Sequence, residues 1–230
     1  ILEQVYGDAQ VTDPANLEQL LAALPAVAGR VLDAAPAQEG FRETAWWQHT
    51  RQEIVQNVRR TLERLADLPG DYLPWGQEVR FFGPQRLQIE ADGEVFGVHG
   101  VIDRVDRAAD GCLRVVDYKT AGPSAFGPGA VHEGKKLQLP LYALAAREAL
   151  GLGEPAEGFY WHVQQGEASG FSLASFPGGP LAAMEMAVAA AWKAVQGARQ
   201  GRFSPHPPDE GCPSYCPAAA FCWHRHSRGG

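Results

Sequence analysis

The stretch from Gly100 to Thr120, GVIDRVDRAADGCLRVVDYKT, limits the possible folds more than any other. Two Val- and Ile-rich runs flank an Ala-Asp-Gly turn, which is the pattern of a β-hairpin. Acids and a lysine are threaded through positions that otherwise read as buried strand. A strand interior tolerates charge only at an exposed edge or at a site that uses it. Residues two apart share a face, so Asp117 and Lys119 point one way and Tyr118 the other. In the preceding run Val101, Asp103 and Val105 share one face, and Ile102, Arg104 and Asp106 the other. The turn decides whether the acids meet. A two-residue Asp110-Gly111 turn pairs Asp103 with Tyr118 and separates the carboxylates. A three-residue connection, with Gly111 left-handed, pairs Asp103 with Asp117.

Two carboxylates and an amine on one face suit phosphodiester hydrolysis. Hard oxygen ligands hold Mg²⁺ or Mn²⁺, and Mg²⁺ commonly uses one or two carboxylates while keeping several waters. Such an ion polarises a phosphoryl oxygen and lowers the pKa of a bound water, and Lys119 would orient that water or neutralise developing charge. A lone Asp-x-Lys is more simply an ordinary cross-strand pair on a solvated face, so the wider context has to decide. Arg104 and Asp106, on the other face, are expected to pair at the sheet surface.

Around this hairpin the chain changes character twice. The first 70 residues read as helices: Leu17, Leu20, Leu21, Leu24 and Val27 keep helical spacing, with Pro25 expected to interrupt them. From about Phe41 to Leu68, Trp47, Ile54, Val58, Leu62 and Leu65 line one face. After Pro69-Gly70 the period becomes two. EVRFFG, RLQIEA, GEVFGVHGVIDRVD and LRVVDYKT read as consecutive antiparallel strands, a β-meander. KKLQLPLYALAAREALG reads as a helix, EGFYWHVQQ and GFSLASF as strands, and about Pro180 to Gln200 as an Ala-rich helix. This order predicts an α/β domain with a mixed sheet over residues 1–200, in which 1–70 are helical and 71–200 form the core, with a Cys-rich tail, 201–230, packing on it.

Three motifs in order, GVIDRVD, VVDYKT and KKLQLPLYALAA, resemble the PD-(D/E)XK nuclease superfamily, specifically its RecB-like and AddB-type nuclease domains. The resemblance covers roughly residues 78–222 and implies a restriction-endonuclease-like core. It implies that Asp103 and Asp117 are metal ligands, joined by the backbone carbonyl of Tyr118, and that Lys119 is the catalytic lysine. Gln138 and Tyr142, an i,i+4 pair on one helical face, match the family's Gln-x-x-x-Tyr helix and would support the site or contact DNA. Glu78 matches a recurring acid of these domains, although a solvated strand position explains it equally well. A metal-binding His usual in the family would fall before Ile1; His99 lies too far along its strand to replace it, and His132 reads as a loop residue. The chain starts at Ile1 without Met, and a fragment of a longer polypeptide is expected.

The tail, GCPSYCPAAAFCWHRH, brings Cys212, Cys216 and Cys222 within eleven residues, close enough to enclose one soft metal centre. The family resemblance implies a [4Fe–4S] cluster whose fourth cysteine lies upstream of Ile1. The first gap, of three residues, is one longer than is common there. His224 or His226 completing a Cys₃His zinc site is an alternative, and Cys112 is more simply a strand residue.

Net charge is −7, which argues against a protein that coats nucleic acid through a general positive field. Lys135 and Lys136, just before the Gln-x-x-x-Tyr helix, are the best phosphate contacts; Arg147, Lys193, Arg199, Arg202, Arg225 and Arg228 could extend a basic rim. AGPSAFGPGA after Lys119 reads as a loop over the cleft whose Phe126 could stack on a base, while Trp46, Trp47, Trp161 and Trp192 read as core. There is no run of 18 apolar residues and no signal-peptide pattern, so a soluble, cytoplasmic protein is expected. The leading expectation is a Mg²⁺- or Mn²⁺-dependent deoxyribonuclease, an exonuclease more than an endonuclease. It would act in recombination or repair, fused to or partnered with a helicase. A non-catalytic DNA-binding scaffold stapled by its cysteines is the alternative, and a zinc-binding interaction module a third.

Overall fold

The computed structural model describes residues 1–122, 126, 128–134, 136–203, 216, 218, 220 and 222. Two compact units divide the chain, 1–190 and 191–230. Three helices come first: α1 (Leu2–Tyr6), α2 (Leu17–Glu39) and α3 (Ala45–Ala66). Asn16 caps α2 by accepting the Gln19 N–H, and Gly40 ends it at φ 70°, the left-handed conformation that glycine adopts without penalty. Pro25 does not interrupt α2, contrary to the sequence expectation. It sits on the exposed side, while Leu20, Leu24, Val27 and Ala28 pack with Val58 and Leu62 of α3 and hold the helix together. By length and composition α2 is apolar enough to cross a membrane; here that apolar stripe forms a core with its neighbours.

The strands are β1 (Leu73–Phe81), β2 (Leu87–Ala91), β3 (Glu94–Val98), β4 (Gly100–Arg107), β5 (Cys112–Lys119), β6 (Glu154–His162) and β7 (Glu167–Ser172). The main sheet runs β1-β4-β5-β6-β7. Only β5 and β6 are parallel; the other neighbours are antiparallel. This mixed α/β sheet has the fold class that the sequence predicts, but the chain is not a simple meander. β1 skips its successors to pair with β4, while β2 and β3 form their own ribbon across Asp92-Gly93. Both turn residues have positive φ, 52° and 75°, as a tight hairpin turn requires. The long run GEVFGVHGVIDRVD therefore splits at His99 into β3 and β4.

Helices α4 (Pro128–His132), α5 (Gln138–Leu144) and α6 (Gly179–Arg199) complete the chain, with a π turn over Ala145–Ala149 extending α5. On one face of the sheet Leu65 of α3 packs with Val116, Phe159 and Trp161, and Trp161 Nε1 donates to Thr61 Oγ1 at 3.2 Å. On the other, Leu139 and Ala143 of α5 pack with Val105, Val115, Tyr160 and Phe171. The hairpin β4–β5 thus lies between two helical layers. Trp161 is core as expected, but Trp46 is 77% exposed at the start of α3, because its neighbour Trp47 takes the inward position of that turn.

Candidate functional site

The β4–β5 connection is the three-residue one. Ala108 N–H donates to the Cys112 carbonyl, Gly111 N–H to the Ala108 carbonyl, and Gly111 sits at φ 87°. The register runs Arg104↔Val116, Val105↔Val115 and Asp106↔Arg114, so Asp103 and Asp117 share the face that α5 covers. Asp103 Oδ2 accepts the Tyr118 N–H at 2.7 Å. Lys119 Nζ stands 2.5 Å from Asp117 Oδ2 and also donates to Gln138 Oε1 at 2.8 Å. Gln138 Nε2 in turn donates to Tyr142 Oη at 2.8 Å. One chain of an ion pair and two hydrogen bonds therefore runs Asp117–Lys119–Gln138–Tyr142, joining two of the three sequence motifs. Residue 100 has to be small because of Phe81: a Cβ there would come within 2.9 Å of the Phe81 ring, which meets the Tyr142 ring edge to face.

The electrostatics set this face apart from an ordinary ion pair. Asp117 is fully buried; burial raises its pKa to about 6, with Asp103 adding to the rise and Lys119 opposing it. Burial also raises Asp103, against the Tyr118 N–H and Lys119. Among the described residues Asp117 Oδ1 is buried without a hydrogen-bond partner. A buried carboxylate oxygen with no donor costs free energy, and a hard cation would relieve that cost. No three His, Cys, Asp or Glu side chains among the described residues converge tightly enough to hold an ion alone. The donor set fits a cation of the Mg²⁺ type, which takes one or two carboxylates and fills its remaining positions with water. Asp103 and Asp117 would hold it.

Glu78 joins this face. A register shift between Pro74 and Gly76 makes Gln77 oppose Arg104 and Val79 oppose Ile102, which sets Glu78 against Asp103. Its φ is 50°, costly for a residue with a Cβ. Burial, then the Asp103 charge, raises its pKa. The sequence leaves Glu78 undecided because the shift that aligns it is invisible in a pattern of alternation.

Other expectations are corrected. Arg104 and Asp106 are not at the sheet surface: they are 2% and 0% exposed. Arg104 Nε and Arg114 Nε both donate to Asp106, at 2.6 and 3.1 Å, and Arg104 Nη1 donates to Tyr6 Oη at 2.6 Å. Helix α1 covers what a bare hairpin would expose. Phe126 is no displayed stacking ring but is 7% exposed in the core. Arg147 pairs with Glu148 and Glu154. His99 lies against Phe82 in a tilted contact, and His132, the last residue of α4 and not a loop residue, meets Phe176 edge to face. Lys136 Nζ lies 4.7 Å from the Phe126 ring centroid. Lys135, Cys212, His224, His226, Arg225 and Arg228 lie outside the described residues; Cys216 and Cys222 are half-buried free thiols.

Comparison with known proteins matches the chain, over residues 1–223, to the PD-(D/E)XK nuclease superfamily. It is 34% identical over 147 residues to an ATP-dependent helicase/deoxyribonuclease subunit from Moorella thermoacetica, covering 57% of this chain and 13% of that protein. A protein of the same description from Streptococcus pyogenes serotype M49 is 29% identical over 115 residues, 48% of this chain and 10% of its own length. The chain therefore spans about a tenth of the relatives it matches. Since the family match takes in the N-terminal helices as well as the charged hairpin and α5, this chain belongs to the PD-(D/E)XK nuclease superfamily.

Proposed function

We propose that this chain is a divalent-metal-dependent deoxyribonuclease, hydrolysing DNA phosphodiesters in recombination or repair beside a helicase, with exonucleolytic cleavage. The observation that carries the reading is the convergence of Asp103 and Asp117 with Lys119 beside them, on a face where Asp117 Oδ1 has no other partner among the described residues. Superfamily membership and the names of the relatives support it. Asp103, Asp117 and the Tyr118 carbonyl would hold Mg²⁺ or Mn²⁺, with Glu78 beside them. The ion when bound supplies a polarised phosphoryl oxygen and an activated water. Lys119 holds its proton at Nζ, where it neutralises charge on the phosphate. Gln138 orients that ammonium, and Tyr142 holds the Gln138 amide. Lys136 and Lys135 contact backbone phosphates flanking the site. The test is Asp117→Ala in the intact protein: Mg²⁺-dependent cleavage is lost while the circular dichroism spectrum stays, and undiminished cleavage would remove the assignment.

Cys212, Cys216 and Cys222 would bind a [4Fe–4S] cluster acting as a staple more than as a redox centre; their spacing supports one soft metal centre, and the cluster type rests on the resemblance to AddB-type nuclease domains. Anaerobically prepared intact protein should be brown and contain iron and sulfide; zinc in a colourless preparation refutes the cluster.

A further inference from the structure

Lys119 has a four-carbon stem with several rotatable bonds, and fixing it costs entropy. Its two polar partners, Asp117 and Gln138, each have another use, the first toward a cation and the second toward Tyr142. A third support is aromatic. Lys119 Nζ lies 5.5 Å from the ring centroid of Phe126 and 5.6 Å from that of Tyr160. The two rings lie against each other, with centroids 4.7 Å apart and planes at 42°. Both are almost fully buried. An ammonium within about 6 Å of an aromatic face is attracted by the ring quadrupole, more strongly where water is excluded. Tyr160 is fixed from the far side too: its hydroxyl accepts the Leu139 N–H, at the start of α5, at 3.5 Å. Phe126 is backed by His162, ring to ring at 5.8 Å, and His162 Nδ1–H donates to the Ala121 carbonyl at 2.7 Å.

We propose that Phe126 and Tyr160 are positioning residues that hold the Lys119 ammonium in front of Asp117 through their ring faces. The inference rests on Lys119 as the catalytic lysine. It gives the segment after β5 a task beyond filling the core, since Phe126 reaches back beneath the ammonium that the strand has just delivered. The clamp is independent of Asp117, so Lys119 stays aimed when the Asp117 oxygens turn to a cation. A ring of the same volume but altered quadrupole separates this role from packing.

The experiment uses the intact protein with Phe126 replaced by mono-, di- and trifluorophenylalanine, with Phe126→Leu and Phe126→Tyr alongside. Cation–π attraction falls stepwise with fluorination while shape is kept, so kcat should fall stepwise, by roughly 5- to 30-fold at the far end, with Tm nearly unchanged; Lys136, whose Nζ lies 4.7 Å from the same ring, shows itself separately as a change in KM for DNA. Phe126→Tyr restores kcat. The Lys119 εCH₂ resonances, shifted upfield by the two rings, should move toward ordinary values in Phe126→Leu, a readout that needs no metal and no activity. A flat fluorination series, or unmoved Lys119 resonances in Phe126→Leu, overturns the clamp. Lys119→Ala in the same protein isolates the other possibility. If that variant still cleaves DNA, the reading of Lys119 fails, and the resonances alone decide whether the rings hold it.

Discussion

The β4–β5 hairpin carries two clusters of charge on opposite faces, built from residues one position apart. On the α1 face two guanidiniums close around Asp106, and the remaining donors are used: Arg104 reaches Tyr6 Oη, and Arg114 Nη1 donates to the Pro69 carbonyl at 3.2 Å. The Arg104 and Arg114 planes also cover the Tyr6 and Tyr72 rings at 5.2 and 4.7 Å. On the α5 face Lys119 pairs with Asp117 and only its field reaches Asp103, and an oxygen of Asp117 is left over. The closed cluster balances its charges within the protein and ties α1 to the sheet, although the neighbouring Tyr118 hydroxyl is buried without a hydrogen-bond partner among the described residues. The open one is completed only by something added. Buried charge by itself therefore does not mark a site; unfinished buried charge does.

Substitutions at the two central acids should separate the faces most. Asp117→Ala removes cleavage by about 10³-fold or more, with Tm within a few degrees, in a metal-dependent plasmid or oligonucleotide assay. Asp106→Ala does the opposite: it leaves two buried guanidiniums without a counter-charge and costs about 3–5 kcal/mol of stability, read from urea denaturation. Equal stability losses in the two variants would erase the contrast. The pH dependence of metal-free protein sharpens it. Asp117 titrates near 6 in the fold against an ordinary 3.8, so the folded state binds this proton more tightly than the unfolded one. Its contribution is therefore fully present below about pH 4 and is lost as pH rises through 6. Unfolding free energy should fall by about 3 kcal/mol across that window, and Asp117→Asn should flatten the fall. The smallest effect is expected from Tyr142→Phe, which deletes one hydrogen bond at the end of the chain: about 1 kcal/mol in kcat, or five-fold, with KM for DNA unchanged.

Much of this site is legible in the sequence because it is local. The turn Ala109-Asp110-Gly111 contains the residue that can sit at φ 87°, which narrows the register to two choices, and the structure takes the three-residue one that unites Asp103 with Asp117. Gln138 and Tyr142 are four apart, so any helix brings them together. Glu78 is not legible, because its alignment depends on a register shift in β1, some 25 residues from its partner. Nor is the burial of Arg104 and Asp106, since what covers them is Tyr6 from α1, almost a hundred residues away. Phe126 is misplaced for a related reason: a Gly/Pro-rich composition says that a segment is irregular, not which of its side chains turns inward.

Alternation, turn chemistry and helical spacing by themselves determined most of the strands and helices and the face each charged residue takes within its own strand, because each involves residues a few positions apart whose geometry the backbone dictates; that the turn is the three-residue one pairing Asp103 with Asp117 was decided by the structure. Only the tertiary structure decided that β1 pairs with β4, that one charged face is sealed and the other left incomplete, and that two aromatic rings flank Lys119. Those outcomes depend on which distant surfaces exclude water from a given charge, and burial of that kind is a property of the packed chain.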